Sequence, residues 1–408
     1  MMTAVPEEIL DRIFSFLESD LPTLKACSLV CSSFLRLVRV RLFSSLKLHI
    51  LEGGQLSHDH QQLCAVFEAC PELILLVRHL RLFYSPNLTS QPALGLYQHP
   101  NFLESMLRLK SIQLRCAVGI CWQMVSDTMH QTFLTLFRSD TLTHIDFVRI
   151  EVFPLSLLGH CRSVKSLRLA YVTFLRGDVY IGNPPIYIQS LDVELYTEEL
   201  AFLTQWFLHT DSSLKLNYLR ELRIKLEQKV CSQYAWALLQ ASSASIEKLI
   251  MDPSCYGNNS ITLFNAINGS LTLNLPKDLS SIHLQLQFLC RLGWSPAQGY
   301  CDPLPWVVNA FRTFSSSNSL ERIGITCLFD HDNADIEYRH GSMQCWSDLD
   351  DIVAHMPSPG LKQVDIRVWC HACSDGLLSN LQSRLPLLYS RGLLQLSIDP
   401  SVTSITQN

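Results

Sequence analysis

Apolar residues recur along this chain in two different rhythms. From Val5 to Leu17 they fall at Val5, Ile9, Ile13, Phe14, Phe16 and Leu17, with Glu7, Glu8, Asp11 and Arg12 between them, which is the spacing of an amphipathic helix. Pro6 suits the first helical position, where a missing N–H costs nothing, and Glu7 and Glu8 sit where the helix dipole favours negative charge. A second helix is expected after Asp20, a capping residue. It carries Leu21, Leu24, Ala26, Cys27, Leu29 and Val30, with Pro22 tolerated in its first turn. Ser32 or Ser33 restarts the chain for a third helix with Phe34, Leu35, Leu37, Val38 and Leu42, whose outer face carries Arg36, Arg39 and Arg41. Three helices in about forty residues bury too little of their surface to be comfortable alone, so the unit is expected to lean on a partner.

Beyond it the rhythm changes to a six-residue pattern, apolar-x-x-apolar-x-apolar. It stands at Val77 to Leu82, Leu109 to Leu114, Leu142 to Phe147 and Val164 to Leu169, with further copies starting at Ile188, Leu219, Ile246, Leu279, Leu320, Leu361 and Leu393 and a looser one at Phe43. The spacing runs from 22 residues, Leu142 to Val164, up to 41, Leu320 to Leu361. Helix-like stretches and polar turns precede several copies, as in Tyr234 to Leu239 before Ser242 to Ser245. The repeating unit is therefore read as a short strand and a helix, and the fold class as α/β. An ordinary α/β domain with similar buried strands is the alternative.

In a stack of such units, strand side chains alternate, so the first, fourth and sixth positions point to the core while the third and fifth face outward. The outward ribbon is polar and mixed in sign. Its candidate partner-binding residues are Arg81, Gln113, Asp146, Arg168, Asp192, Arg223, His283 and Asp365, with Arg81, Arg168 and Arg223 best suited to carboxylate or phosphate contacts.

Two resemblances follow. Val5-Pro6-Glu7-Glu8-Ile9-Leu10-Asp11-Arg12-Ile13-Phe14-Ser15-Phe16-Leu17, then Asp20-Leu21, Cys27-Ser28-Leu29-Val30-Cys31-Ser32-Ser33-Phe34 and Leu42-Phe43 resemble the F-box in order and spacing over residues 3–48. Val5 stands where many members have Leu, and Phe43 where many have Trp. The resemblance implies docking on the linker subunit of an SCF ubiquitin ligase, and through it on a cullin, with Pro6, Ile9, Leu10, Ile13, Leu24, Leu29 and Val30 as the carried-over contacts. The strand-helix unit resembles a leucine-rich repeat, although the Asn that often follows the strand is absent. It implies an irregular solenoid, or horseshoe, over residues 77–400, joined to the F-box by a helical segment at 49–76 and ending in a tail at 401–408.

Composition supports a protein-binding role. At 408 residues and 48% hydrophobic content, with 17% charged residues and a net charge of -5, the chain can bury a large core and shows neither a nucleic-acid footprint nor a polybasic membrane anchor. The fifteen cysteines are odd in number and scattered. Carboxylates occupy the start, where a secretion signal needs cations, so the cysteines are read as reduced and mostly buried, and the protein as cytoplasmic or nuclear. Cys370-His371-Ala372-Cys373, with Cys345 and His355 upstream, has metal-like spacing, but the second Cys pair of a zinc site is missing. His58, Asp59 and His60 lie in a loop-like stretch and read as solvated. With no phosphate-binding glycine loop, nucleophile elbow or His-Glu-x-x-His helix, no catalytic residue, metal or cofactor is expected. The resulting expectation is a non-catalytic substrate adaptor of a ubiquitin ligase that binds a protein target. The alternative is a binding module that pairs with the linker subunit outside any ligase.

Overall fold

The computed structural model describes residues 5–17, 20–51, 58–85, 103–177, 185–225, 231–242, 245–252, 284–292, 304–312, 320–329, 340–356, 360–369 and 375–399. The chain divides into two compact units, Met1–Ile186 and Tyr187–Asn408.

The first unit opens with helices α1 (Glu7–Ser15), α2 (Leu21–Ser28) and α3 (Ser32–Leu42). Pro6 sits one position outside α1 rather than at its first residue. As the cap, its carbonyl accepts from the N–H groups of Ile9 and Leu10. Asp20 caps α2 as expected: its carboxylate accepts from the Thr23 N–H at 3.1 Å and from the Thr23 hydroxyl at 2.6 Å. Those two bonds hold its pKa below the ordinary carboxylate value, because they favour the charged form. The three helices close around Phe14, Leu24, Leu37 and Val38, with Leu10, Leu17 and Phe34 packed against them. Phe14 meets Phe34 edge to face at 5.1 Å between ring centroids, the arrangement the ring quadrupoles favour. Arg41 ties α3 back to α1 through the Asp11 carbonyl at 2.6 Å and carboxylate at 2.8 Å.

A parallel sheet follows at once. Its strands are β1 (Ser45–Ile50), β2 (His79–Tyr84), β3 (Ser111–Cys121), β4 (His144–Glu151) and β5 (Ser166–Ala170), each paired with the next. Parallel neighbours require a crossover. Helices α4 (His58–Ala69) and α5 (Asp127–Phe137) and two turns of 3-10 helix, Pro71–Leu76 and Leu155–His160, lie in these connections. The second unit repeats the scheme with parallel strands β6 (Ser190–Glu194), β7 (Glu221–Lys225), β8 (Lys248–Asp252), β9 (Leu284–Leu292), β10 (Leu320–Phe329), β11 (Gln363–Trp369) and β12 (Leu394–Asp399). Among its helices are α6 (Thr197–Leu208), α7 (Cys231–Ala241), α8 (Leu304–Arg312) and α9 (His340–Ala354).

The six-residue pattern maps onto these strands position by position. Its first, fourth and sixth residues are buried in Val77, Leu80 and Leu82, in Leu142, Ile145 and Phe147, and in Ile246, Leu249 and Met251. The copy starting at Leu279 falls partly outside the described residues, as does the stretch from Asp330 to Gly341, of which residues 330–339 are not described, and the tail at 401–408 lies wholly outside them.

One backbone contact recurs just before β2, β3, β4, β5, β7 and β8. The Ser44 carbonyl accepts from both the Arg78 and His79 N–H groups, at 2.8 and 2.9 Å, and the Arg78 carbonyl accepts from those of Lys110 and Ser111, at 2.7 and 3.0 Å. Lys110 and Thr143 continue the series. In the second unit Gln189 and Arg220 do the same for the strands after them, at 2.8 to 3.0 Å. A shared carbonyl at these six starts fixes the register there, and a one-residue slip would turn every apolar side chain of such a strand outward.

The core side chains should therefore carry most of the stability. Ile145→Ala or Leu167→Ala is expected to lose about 2–5 kcal/mol, as buried aliphatic truncations do. Ser166→Ala, on the outward face, should stay within about 0.5 kcal/mol. Urea unfolding of the three variants checks this.

Candidate functional site

The structure presents two surfaces, the helical unit and the outward face of the sheets. On α1 the apolar residues divide into two stripes at helical spacing. Leu10, Phe14 and Leu17 face the three-helix core. Val5, Ile9, Ile13 and Phe16 remain about half exposed or more, with Phe16 at 77%. Leu29 and Val30, at the turn between α2 and α3, are 87% and 66% exposed, and Leu21 is half exposed as well. So many large apolar side chains open to water on so small a unit mark a surface built to be covered.

Of the carried-over contacts, Pro6, Ile9, Ile13, Leu29 and Val30 lie on the surface and Leu10 is half-buried. Leu24 is placed differently. At 0% exposure it belongs to the core, so it supports the surface by holding the helices together rather than by touching a partner. Helical spacing could not distinguish it, because α2 is only eight residues long and apolar on more than one side. Val5, Phe16 and Leu21 join the exposed set. Their signal was the second apolar stripe of α1, wider than three short helices need for their own core.

The sheet face of the first unit collects four of the expected partner-binding residues in one row. Arg81, Gln113, Asp146 and Arg168 stand side by side on β2 to β5, and Lys47 on β1 extends the row beside Arg81. Gln113 donates to the Asp146 carboxylate, and Arg115 and Arg168 approach it at 3.5 and 3.4 Å. Arg115, like Phe83, is a seventh position of the pattern, because the strands run past their sixth residue. Lys47 comes from the looser copy at Phe43. Lys47 stands over the Phe83 ring at 4.5 Å, and His49 stacks on Phe83 and on His60 at 5.3 and 5.5 Å.

In the second unit, Arg223 reaches Asp192 at 3.8 Å across neighbouring strands, and Asp365 accepts from Gln363 at 2.6 Å. His283 lies outside the described residues, and so does Cys370-His371-Ala372-Cys373.

The nine cysteines whose side chains are described are free thiols. Cys64, Cys116, Cys161 and Cys327 are buried, Cys31 is exposed and the other four are half-buried, so fewer are fully enclosed than the composition suggested. Burial pushes the Cys64 thiol up to about 11 and that of Cys116 to about 12, which leaves both protonated and unreactive at neutral pH. No three His, Cys, Asp or Glu side chains among the described residues converge as metal ligands. No helix among them is long and apolar enough to cross a membrane.

His49 and His79 both have depressed pKa values. For His49 the causes are burial, then Lys47 and His60; for His79 they are burial, then His144, Lys110, Arg81 and Arg78. Each is harder to protonate when folded than when unfolded, so the unfolded chain takes up the proton first and stability falls as the pH drops through the ordinary histidine value. The melting temperature should be flat above about pH 7 and decline below about 6.5. His79→Asn should make that decline shallower, as read by melting curves across pH.

No curated protein matches this chain. A family model described as F-box-like matches residues 2–49, so the helical unit, through to β1, is an F-box-like domain.

Proposed function

We propose that the protein is the substrate-recognition adaptor of an SCF ubiquitin ligase. In this reading the F-box-like domain docks on the linker subunit, which joins it to a cullin. The strand-helix units form an irregular leucine-rich-repeat solenoid that holds a target protein. The observation that carries the reading is the second apolar stripe of α1, together with Leu29 and Val30, all exposed on a domain whose own core is already closed by Phe14, Leu24, Leu37 and Val38. A partner that covers Ile9, Ile13, Leu29 and Val30 removes apolar surface from water, worth about 25 cal/mol for each Å².

The chain's contribution to catalysis is proximity: it holds a target near the enzyme that carries ubiquitin, and the bond-forming chemistry belongs to other subunits. The buried, protonated thiols of Cys64 and Cys116 suit a scaffold and supply no thiolate for transfer.

Co-purification tests the docking. Ile9→Asp and Leu29→Asp each place a charge on an exposed apolar position, so the fold should survive while linker recovery falls at least about 30-fold, the loss set by about 2 kcal/mol or more of desolvation. Leu24→Asp should instead unfold the domain. Undiminished recovery with both surface variants would sink the proposal. Linker recovered without any cullin would move the protein to a role outside the ligase.

A further inference from the structure

The two sheet faces carry charge in different ways. On β6 to β8 the charged residues are largely neutralised among themselves: Lys225 bonds Glu194, Lys248 bonds Glu221 at 2.7 Å and Arg223 approaches Asp192 at 3.8 Å. On β1 to β5 the outward row carries Lys47, Arg81, Arg115 and Arg168 against the carboxylate of Asp146, and the other carboxylate of these strands, Glu151, stands at the far end of β4. Asp146 is already engaged by Arg115 and Arg168, so it leaves the other end of the row uncompensated. There Lys47 and Arg81 are direct neighbours in register, and neither has a carboxylate partner among the described residues. Exposed Lys110 and half-buried Arg78 lie close enough to His79 to act on its charge, as do Arg81 and His144. No carboxylate among the described residues acts on His79.

Like charges held side by side on adjacent strands are unfavourable unless something compensates them. The fold keeps them together through the shared carbonyls, which fix Arg78, His79 and Lys110 beside one another. Such an arrangement costs stability alone and is relieved by a bound anion. Asp146 shows within the same row how a carboxylate sits there, between two guanidinium groups and the amide of Gln113.

We infer that the outward face of β1 to β3, centred on Lys47, Arg81 and His79, binds an acidic segment of a partner protein, rich in Asp and Glu. The inference deepens the adaptor reading by giving the class of target, and it rests on that reading only for the partner's fate. Strands about 4.8 Å apart place Lys47 and Arg168 about 19 Å apart along the row. An extended peptide of about six residues spans that distance. A peptide is favoured over nucleic acid because, among the described residues, Phe83 is the one Phe, Tyr or Trp on the outward face of β1 to β3, and Lys47 and His49 already cover its ring, which removes it as a platform for base stacking.

Fluorescence polarisation with the full chain tests the inference, using a labelled peptide of about ten residues rich in Glu and its Gln counterpart. The Glu peptide should bind at least tenfold more tightly. Its affinity should weaken as ionic strength rises from about 0.05 to 0.5 M, through the shrinking Debye length. Lys47→Gln with Arg81→Gln should reduce binding at least tenfold, with melting curves confirming that these exposed changes leave the fold intact. Lys248→Gln in the second unit, where Glu221 already pairs with the lysine, should leave it unchanged. Ile9→Asp should keep peptide binding while losing the linker subunit, so each reading can fail alone. Equal binding of the two peptides, full binding by the Lys47 and Arg81 double variant, or preference for a single-stranded oligonucleotide over the Glu peptide overturns the inference.

Discussion

The register of β1 to β5, and of β6 to β8, depends on a carbonyl that precedes a strand and accepts two N–H groups from the start of the next. Ser44, Arg78, Lys110 and Thr143 form one such series, and Gln189 and Arg220 another. Each bond pair sets where the following strand begins, so the parallel partners are locked in register and the apolar positions of successive copies fall on one side. Connections of very different length can then be tolerated. The chain between two strands need only leave and return, and lengthening a loop adds little entropic cost. This is why a pattern spaced irregularly in sequence produces strands that pair regularly in space.

The N-terminal domain obeys a different constraint. With three short helices it can enclose only a few large side chains, and Phe14, Leu24, Leu37 and Val38 already fill that role. The surplus apolar stripe on α1 has no place inside. It stays open to water, within the segment at residues 2–49 that matches the F-box-like family. The domain does not stand apart from the sheet of its own unit. β1 begins at Ser45, three residues after α3 ends, and the Ser44 carbonyl between them starts the backbone series.

Electrostatics separates the two sheet faces further than their shared backbone pattern would suggest. Pairs such as Lys248 and Glu221 satisfy one another across neighbouring strands of the second unit. In the first, Asp146 serves three partners, and Lys47 and Arg81 have no carboxylate partner among the described residues. A mixed ribbon in sequence therefore becomes a sorted one in space. Which charge stands opposite which depends on register, and register depends on the carbonyls.

Periodicity alone determined a great deal about this protein. The three helices, the Asp20 cap, the strand positions and the inward direction of residues such as Leu80, Ile145 and Ile224 were legible, because hydrophobic spacing reports directly which side of an element avoids water. Tertiary structure decided what spacing cannot report. It moved Leu24 into the core and left Phe16 outside, since two apolar stripes on one helix look alike until one meets a neighbour. It brought Lys47, from the loosest copy of the pattern, beside Arg81, and set Arg115 and Arg168 on Asp146. Those placements join residues 22 to 34 positions apart through pairing in register, and no local pattern contains the register itself.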